Sequence, residues 1–336
     1  MNVTVVGAGV AGLTVATELV KRGCKVEIID RASGFGRDTC SWYAGGMLAP
    51  WCEGDTAEEP VMRLGREAIG WWREHVPDVI EQGSLVIAPS RDAGELARFA
   101  RRTQSHHTID ADRLAELEPD LKGRFRQALL FGDEAHLDPR RAIAWLARKL
   151  EESGVTITYS TALENHRISG SVIVDTRGFA ARDVLKDLRG VKGEMLVLNA
   201  SGVAFSRPIR LLHPRWPVYL VPRGNGHFMV GATQIEAEDR GRITARGMVE
   251  LLNAAYAVHP AFAEAEIIET GADVRPAFPD NLPRLRWHGR TLHVNGLFRH
   301  GFLLAPACAR MAAEAIENPG YKPELMDEDH RERSIA

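Results

Sequence analysis

The sequence predicts an α/β protein in which a doubly wound parallel sheet is interleaved with an α+β domain built on a mixed or antiparallel sheet. Three observations predict it. The chain opens with a short apolar strand, a glycine-rich turn and a helix. A succession of strands runs from about Gly190 to Gly231. A second strand, glycine loop and helix stand near the C-terminus. At 336 residues the chain suits two intimately joined domains. Hydrophobic residues are 45% and charged residues 26% of it, the balance of a soluble globular protein.

The elements follow in order. Asn2–Val6 is short, apolar and valine-rich, so it is a buried strand; a helix from Leu13 to Lys21 and a strand from Lys25 to Asp30 follow. Residues 33–54 are rich in small residues and form a loop. Pro60–His75 is a helix, Gly83–Pro89 a strand and Ala93–Thr103 a helix. Asp138 and Pro139 supply an N-cap and a first helical residue for a helix that runs to Ser153 and stops at Gly154. The strands Val155–Tyr159 and Ser171–Asp175 belong to the first sheet. Glu194–Leu198, Ile209–Leu212, Val218–Val221 and Phe228–Val230 are successive strands of the second, which the helix Ala245–His259 covers on one face. The predicted domains are 1–50 with 135–189 and 285–320, against 51–134 with 190–284. Residues 321–336 are expected to be a frayed tail.

Gly7-Ala8-Gly9-Val10-Ala11-Gly12 is a G-x-G-x-x-G between a strand and a helix, the Rossmann-like arrangement. Gly7 makes the tight turn, Gly9 lets the backbone approach a pyrophosphate, and Gly12 permits close helix–strand packing. The helix N-terminus offers unpaired N–H groups and a favourable dipole to phosphate. Asp30 ends the second strand, where its carboxylate can accept ribose hydroxyls and disfavours a 2′-phosphate. The motif alone leaves NAD and FAD open. The far end favours FAD. There Leu292–Asn295 is a strand and Gly296–Gly301 a loop, and a helix follows with Leu304, Ala307, Cys308, Met311, Ala312 and Ile316 at helical spacing. Its positive end would stabilise the negative charge of a reduced flavin.

These segments resemble the D-amino-acid oxidase superfamily of FAD oxidoreductases, and within it the glycine oxidases of thiamine biosynthesis. The resemblance is carried by Val5–Gly12, Ser41–Pro50, His136–Arg140, Tyr219–Pro222 with Val230–Thr233, Arg275-Pro276 followed by Pro279–Pro283, and Phe298–Pro306. It implies that Gly7, Gly9, Gly12, Asp30 and Arg31 hold the ADP half of a non-covalent FAD, and that Ala162 meets the adenine. Ser41, Ala44, Gly45, Gly46 and Met47 would line pyrophosphate and flavin. Arg299, His300, Gly301, Phe302, Leu303 and Leu304 would run beside the flavin. Arg275, Tyr219 and Arg299 would bind the substrate, Arg275 as a bidentate partner of its carboxylate.

The implied chemistry is hydride transfer from a small amine, glycine first, to flavin N5, with molecular oxygen as acceptor. The products are an imine or glyoxylate, ammonia and peroxide, and the imine is expected to serve thiamine thiazole synthesis. No residue is assigned as a catalytic acid or base. His300, where asparagine is usual, Gln234, and the bulk of Trp42 and Tyr43 near the expected flavin face depart from the pattern and bear on pocket size. A D-amino-acid oxidase or dehydrogenase is the near alternative. An NAD-dependent dehydrogenase and a non-enzymatic FAD-binding subunit are the more distant ones.

A net charge of −3 and no basic patch argue against nucleic acid, since Arg98, Arg101 and Arg102 are ordinary helix residues. Cys24, Cys40, Cys52 and Cys308 have no metal-ligand spacing and are expected to be reduced thiols of a cytoplasmic protein. No metal is expected. There is no apolar run of membrane-spanning length and no leader. His136 is expected to hold a structural hydrogen bond and Trp71 and Trp72 to pack between the domains, and the resemblance to glycine oxidases implies a homo-oligomer.

Overall fold

A computed structural model describes residues 1–166, 168, 170–213 and 218–327. The first elements in chain order are β1 (Asn2–Val6), α1 (Val10–Lys21), β2 (Lys25–Ile29), β3 (Met47–Leu48), α2 (Pro50–Glu53), α3 (Glu59–Gly65) and α4 (Glu67–His75). Then come β4 (Ser84–Ile87), α5 (Ala93–Arg102), β5 (His107–Asp110), α6 (Ala111–Leu117), β6 (Gln127–Phe131), β7 (Ala135–His136), α7 (Pro139–Glu152), β8 (Thr156–Thr158) and β9 (Val172–Asp175). The rest are β10 (Arg189–Asn199), β11 (Ile209–Leu211), β12 (Val218–Gly224), β13 (His227–Gly231), β14 (Ile235–Glu236), α8 (Ala245–Val258), β15 (Glu266–Ala277), β16 (Arg284–His288), β17 (Thr291–Asn295) and α9 (Gly301–Glu317).

The first sheet runs β16-β17-β9-β1-β2-β8, parallel except where β16 folds back on β17. β1 is buried from Val3 to Val6 because helices cover both faces of such a sheet. α1 stops where Gly23 takes φ +78°, so that its N–H reaches Val20 O and the Cys24 N–H reaches Leu19 O. The Asp138 carboxylate caps α7 by accepting from the Arg140 and Arg141 N–H groups, with Pro139 in the first turn.

The second sheet runs β14-β10-β13-β12-β11-β4-β6-β5, with β15 also paired to β10. It is antiparallel apart from the β11–β4 pair. α8 covers it, burying Leu251, Ala254, Ala255 and Val258 with Leu196, Leu198, Leu220 and Val230. This is the mixed sheet expected. β15 is not evident in the sequence, because its first half is largely exposed and its second half lacks a two-residue alternation.

Several expectations are corrected. The loop over 33–54 contains the strand β3 and the helix α2, pinned by pairing of β3 to β7. The single helix over Pro60–His75 is two, broken at Arg66. Gly65 lets α3 approach α9, since a Cβ there would lie 2.8 Å from the Leu303 side chain. Val61, Leu64, Ala68 and Trp72 share a core with α1 and α9, so this part of 51–134 packs with the first sheet.

Trp72 thus packs from the 51–134 segment onto α1 and α9. Pro306 within α9 cannot donate to the Phe302 carbonyl, and Trp72 Nε1 donates to it instead at 2.7 Å. The expected frayed tail is docked as far as Asp327. Leu325 is buried, and its carbonyl accepts from the Leu285 N–H, while the Asp327 N–H donates to Leu285 O. Residues 328–336 of that tail lie outside the described residues. His136 is buried with no hydrogen-bond partner for either ring nitrogen among the described residues, and burial pulls its pKa down to about 4, so the expected structural bond is absent.

Candidate active site

A cavity of about 880 Å³ runs from the β1–α1 turn to the second sheet. Its first end is built by the glycine motif. Gly7 has φ +109°, and a Cβ on Gly12 would lie 1.8 Å from Gly7 O, so Gly12 serves packing and does not line the cavity. At Gly9 the nearest neighbour of such a Cβ is Ser41 Oγ at 3.5 Å, which leaves the cavity side open to a ligand. The Val10 N–H at the start of α1 donates to Ser41 Oγ at 3.2 Å. The Asp30 carboxylate accepts from the Ala8 N–H at 2.6 Å and the Ala32 N–H at 2.8 Å, and lines the same end with Arg31 and Ala162. It braces the turn as well as facing the cavity.

The middle is lined by Ser41 and by Ala44, Gly45, Gly46 and Met47. Tyr43 lines it too, but Trp42 does not. The Trp42 indole lies under Arg140, 4.1 Å from ring centroid to guanidinium, and donates to Glu269 Oε1 at 3.2 Å, so its bulk is directed away from the cavity. α9 opens on the far part with no side-chain cap, and Arg299, His300, Gly301, Phe302 and Leu303 line it. Leu304 does not, being turned into the first sheet's core. Cys308 lies in that core as well, and burial pushes its thiol up to about 12.

The substrate end is set by β12, β13 and β15. Tyr219 on β12 stands opposite Gly231 on β13, and its ring packs so closely on Gly45 that a Cβ there would meet it at 2.7 Å. Arg275 on β15 faces the cavity beside Gly193 of β10, where a Cβ would fall 2.1 Å from Nη2. Arg275 Nη1 donates to Thr233 O at 3.1 Å, and no carboxylate lies within ion-pair distance of it among the described residues. Burial lowers its pKa from the ordinary guanidinium value. A half-buried guanidinium on a cavity wall with no carboxylate beside it can accept an anionic ligand.

Arg299, expected at substrate and flavin, lines the cavity and is also tied to protein partners. Its Nη2 donates to Glu53 and to Thr56 Oγ1, the latter at 2.7 Å. Glu53 also lies 2.9 Å from His300 Nε2 and 3.5 Å from Arg210 Nη1. Burial works to raise the Glu53 pKa, but Arg299, His300 and Arg210 outweigh it and hold the carboxylate well below its usual range. Sequence reading missed Glu53 and Arg210; a glutamate beside a small-residue segment and an arginine within an apolar strand were the available signals. No cluster able to hold a metal occurs among the described residues.

Two uncapped or ligand-facing helix N-termini, a glycine cradle and an extended cavity suit a dinucleotide cofactor. The family profile described as FAD dependent oxidoreductase matches residues 2–315. The chain belongs to the FAD-dependent oxidoreductase family. Its cofactor is accordingly FAD. A Rhizobium etli protein named as the thiamine biosynthesis oxidoreductase ThiO is 54% identical over 325 residues, covering 96% of this chain and 99% of its own. The glycine oxidase of Bacillus licheniformis is 27% identical, covering 99% of this chain and 97% of its own. The crystal structure of glycine oxidase from Bacillus cereus superposes with a TM-score of 0.81 at 24% identity, covering 96% of this chain and 99% of that one, and so shares the fold. No described helix of this oxidoreductase is long and apolar enough to cross a membrane.

Proposed function

We propose that this oxidoreductase oxidises glycine, and small amines like it, to the imine, which yields glyoxylate and ammonia or is passed on to thiazole assembly in thiamine synthesis. The observation that carries the reading is Arg275, half-buried on the cavity, hydrogen-bonded only to the Thr233 carbonyl and with no carboxylate partner among the described residues. FAD, when bound, takes the hydride of the amine's α-carbon and returns the electrons to oxygen as peroxide. The chain's own residues then have binding and orienting roles. Arg275 fixes the substrate carboxylate, and the Tyr219 hydroxyl, which has no partner among the described residues, donates to it. Gly7, Gly9, the Val10 N–H and Ser41 hold the pyrophosphate, Asp30 and Arg31 the ribose side, and Ala162 the adenine. Residues 44–47 and 299–303 flank the flavin.

Binding is non-covalent in this reading: Cys308 is buried away from the cavity, and burial pushes the thiol of Cys40, which lines it, up to about 12, so that it stays protonated. The four cysteines are unpaired, in keeping with a cytoplasmic enzyme. A peroxide-coupled assay over glycine, sarcosine, D-alanine, D-proline, D-phenylalanine and L-alanine tests the substrate. Glycine is expected to give the highest kcat/KM and L-alanine none. Size discrimination against D-alanine is modest, about 1–3 kcal/mol per methylene. A kcat/KM for D-proline or D-phenylalanine more than about tenfold above glycine would assign a D-amino-acid oxidase instead.

A further inference from the structure

Arg223 is a largely buried cation near the end of β12, its side chain 12% exposed, whose hydrogen bonds among the described residues all go to main-chain carbonyls. Nη1 donates to Leu137 O at 2.8 Å, and Nη2 donates to Ala44 O at 3.1 Å and Gly45 O at 2.8 Å. The carboxylate of Asp138 comes only within 4.0 Å, and is already committed to the N-terminus of α7. Burial pulls the Arg223 pKa down to about 10, so the side chain is still charged at neutral pH. It does not line the cavity, whereas Ala44, Gly45 and Gly46 do.

A planar trans peptide points its N–H opposite to its C=O. With the Ala44 and Gly45 carbonyls drawn back to Arg223, the N–H groups of Gly45 and Gly46 point the other way. Both glycines are buried, and neither N–H has an acceptor among the described residues. Two successive buried, unpaired N–H groups are costly unless a ligand accepts from them. The segment lines the cavity on the far side of Ser41 from the adenine end, and the Tyr219 ring packs on Gly45, so the ligand part assigned to it is the flavin.

We propose that Arg223 is a positioning residue that holds the 44–46 segment from behind, so that the Gly45 and Gly46 N–H groups are aimed at the flavin half of FAD. A guanidinium fork can hold several carbonyls in one fixed plane, which an ammonium group cannot. Donors fixed before the ligand arrives need no reorganisation when it does. The inference rests on the cavity holding FAD in the orientation given above. Turnover of glycine by the wild type tests that functional reading separately.

Equilibrium dialysis of full-length wild type, Arg223→Met and Arg223→Lys against FAD and, separately, ADP tests the proposal. ADP fills the adenine and pyrophosphate end alone and also reports that the variants are folded. Arg223→Met should weaken FAD binding by about ten- to hundredfold, the loss of two hydrogen bonds, while ADP affinity stays at the wild-type value. Arg223→Lys should fall between, and the visible spectrum of bound flavin should shift in the same order. Equal weakening of FAD and ADP, including loss of both in both variants, would make Arg223 a support of the whole fold and overturn the proposal. Unchanged FAD binding would overturn it as well.

Discussion

Arg275 concentrates the chemistry of the substrate end. Replacing it by leucine removes a cation of the cavity that no carboxylate among the described residues neutralises, and leaves the substrate carboxylate without its partner. A loss of about 3–5 kcal/mol in kcat/KM for glycine is expected, with FAD still bound. An amine of similar size lacking the carboxylate should lose far less; an equal loss for both would mean that Arg275 supports the fold. Asp30 joins two tasks, accepting from the Ala8 and Ala32 N–H groups and facing the cofactor end. Asp30→Ala should weaken FAD by about ten- to hundredfold, read by dialysis, and a wild-type dissociation constant would exclude it as a ribose ligand. Residues whose task is set by neighbours in the chain, such as Gly7, Gly12 and Asp138, were legible in the sequence. Arg299 was not, because its partners Glu53 and Thr56 are about 240 positions away and only the fold brings them to it.

At the scale of elements, Pro306 and Trp72 form one unit, although they sit on different helices. Trp72→Phe keeps the packing but leaves the buried Phe302 carbonyl without a donor, so about 1–3 kcal/mol of stability should be lost in denaturant unfolding. Glu134 holds together α2, β4 and the turn before β7 by accepting from the Cys52 N–H and the Ser84 hydroxyl. Burial pushes its pKa up to about 7 from an unfolded value of 4.5. Between these values the folded state keeps a proton that the unfolded state releases, so stability falls as pH rises from about 4.5 to 7, by about 3 kcal/mol at most. Glu134→Gln should remove that slope, and a slope equal to the wild type's would show that another group is responsible. Helices with strong local signals, α1 and α7, were legible. The break between α3 and α4 was not, since it depends on Gly65 meeting Leu303 across two helices.

The whole molecule is two sheets sharing one cavity. The first sheet carries the glycine turn and leads into α9, the second carries Tyr219 and Arg275, and the cavity is lined from both. This architecture was legible from the glycine motif and the strand succession. The allotment of 51–134 was not, because the apolar faces of α3 and α4 do not say which sheet they cover. The tail was misread because its polar composition hides Leu325, and Asp327 pairs with the buried Arg286. Truncation after Gly320 should therefore lower stability by about 2–4 kcal/mol, seen as a lower denaturant midpoint. The central claim, an FAD enzyme that takes a hydride from glycine, is tested most directly by adding glycine to the purified, FAD-loaded protein without oxygen. The visible flavin absorbance should bleach, and on admitting air it should return with an equal amount of peroxide formed. An unchanged spectrum with glycine, from protein that D-proline or D-phenylalanine does bleach, would contradict the account.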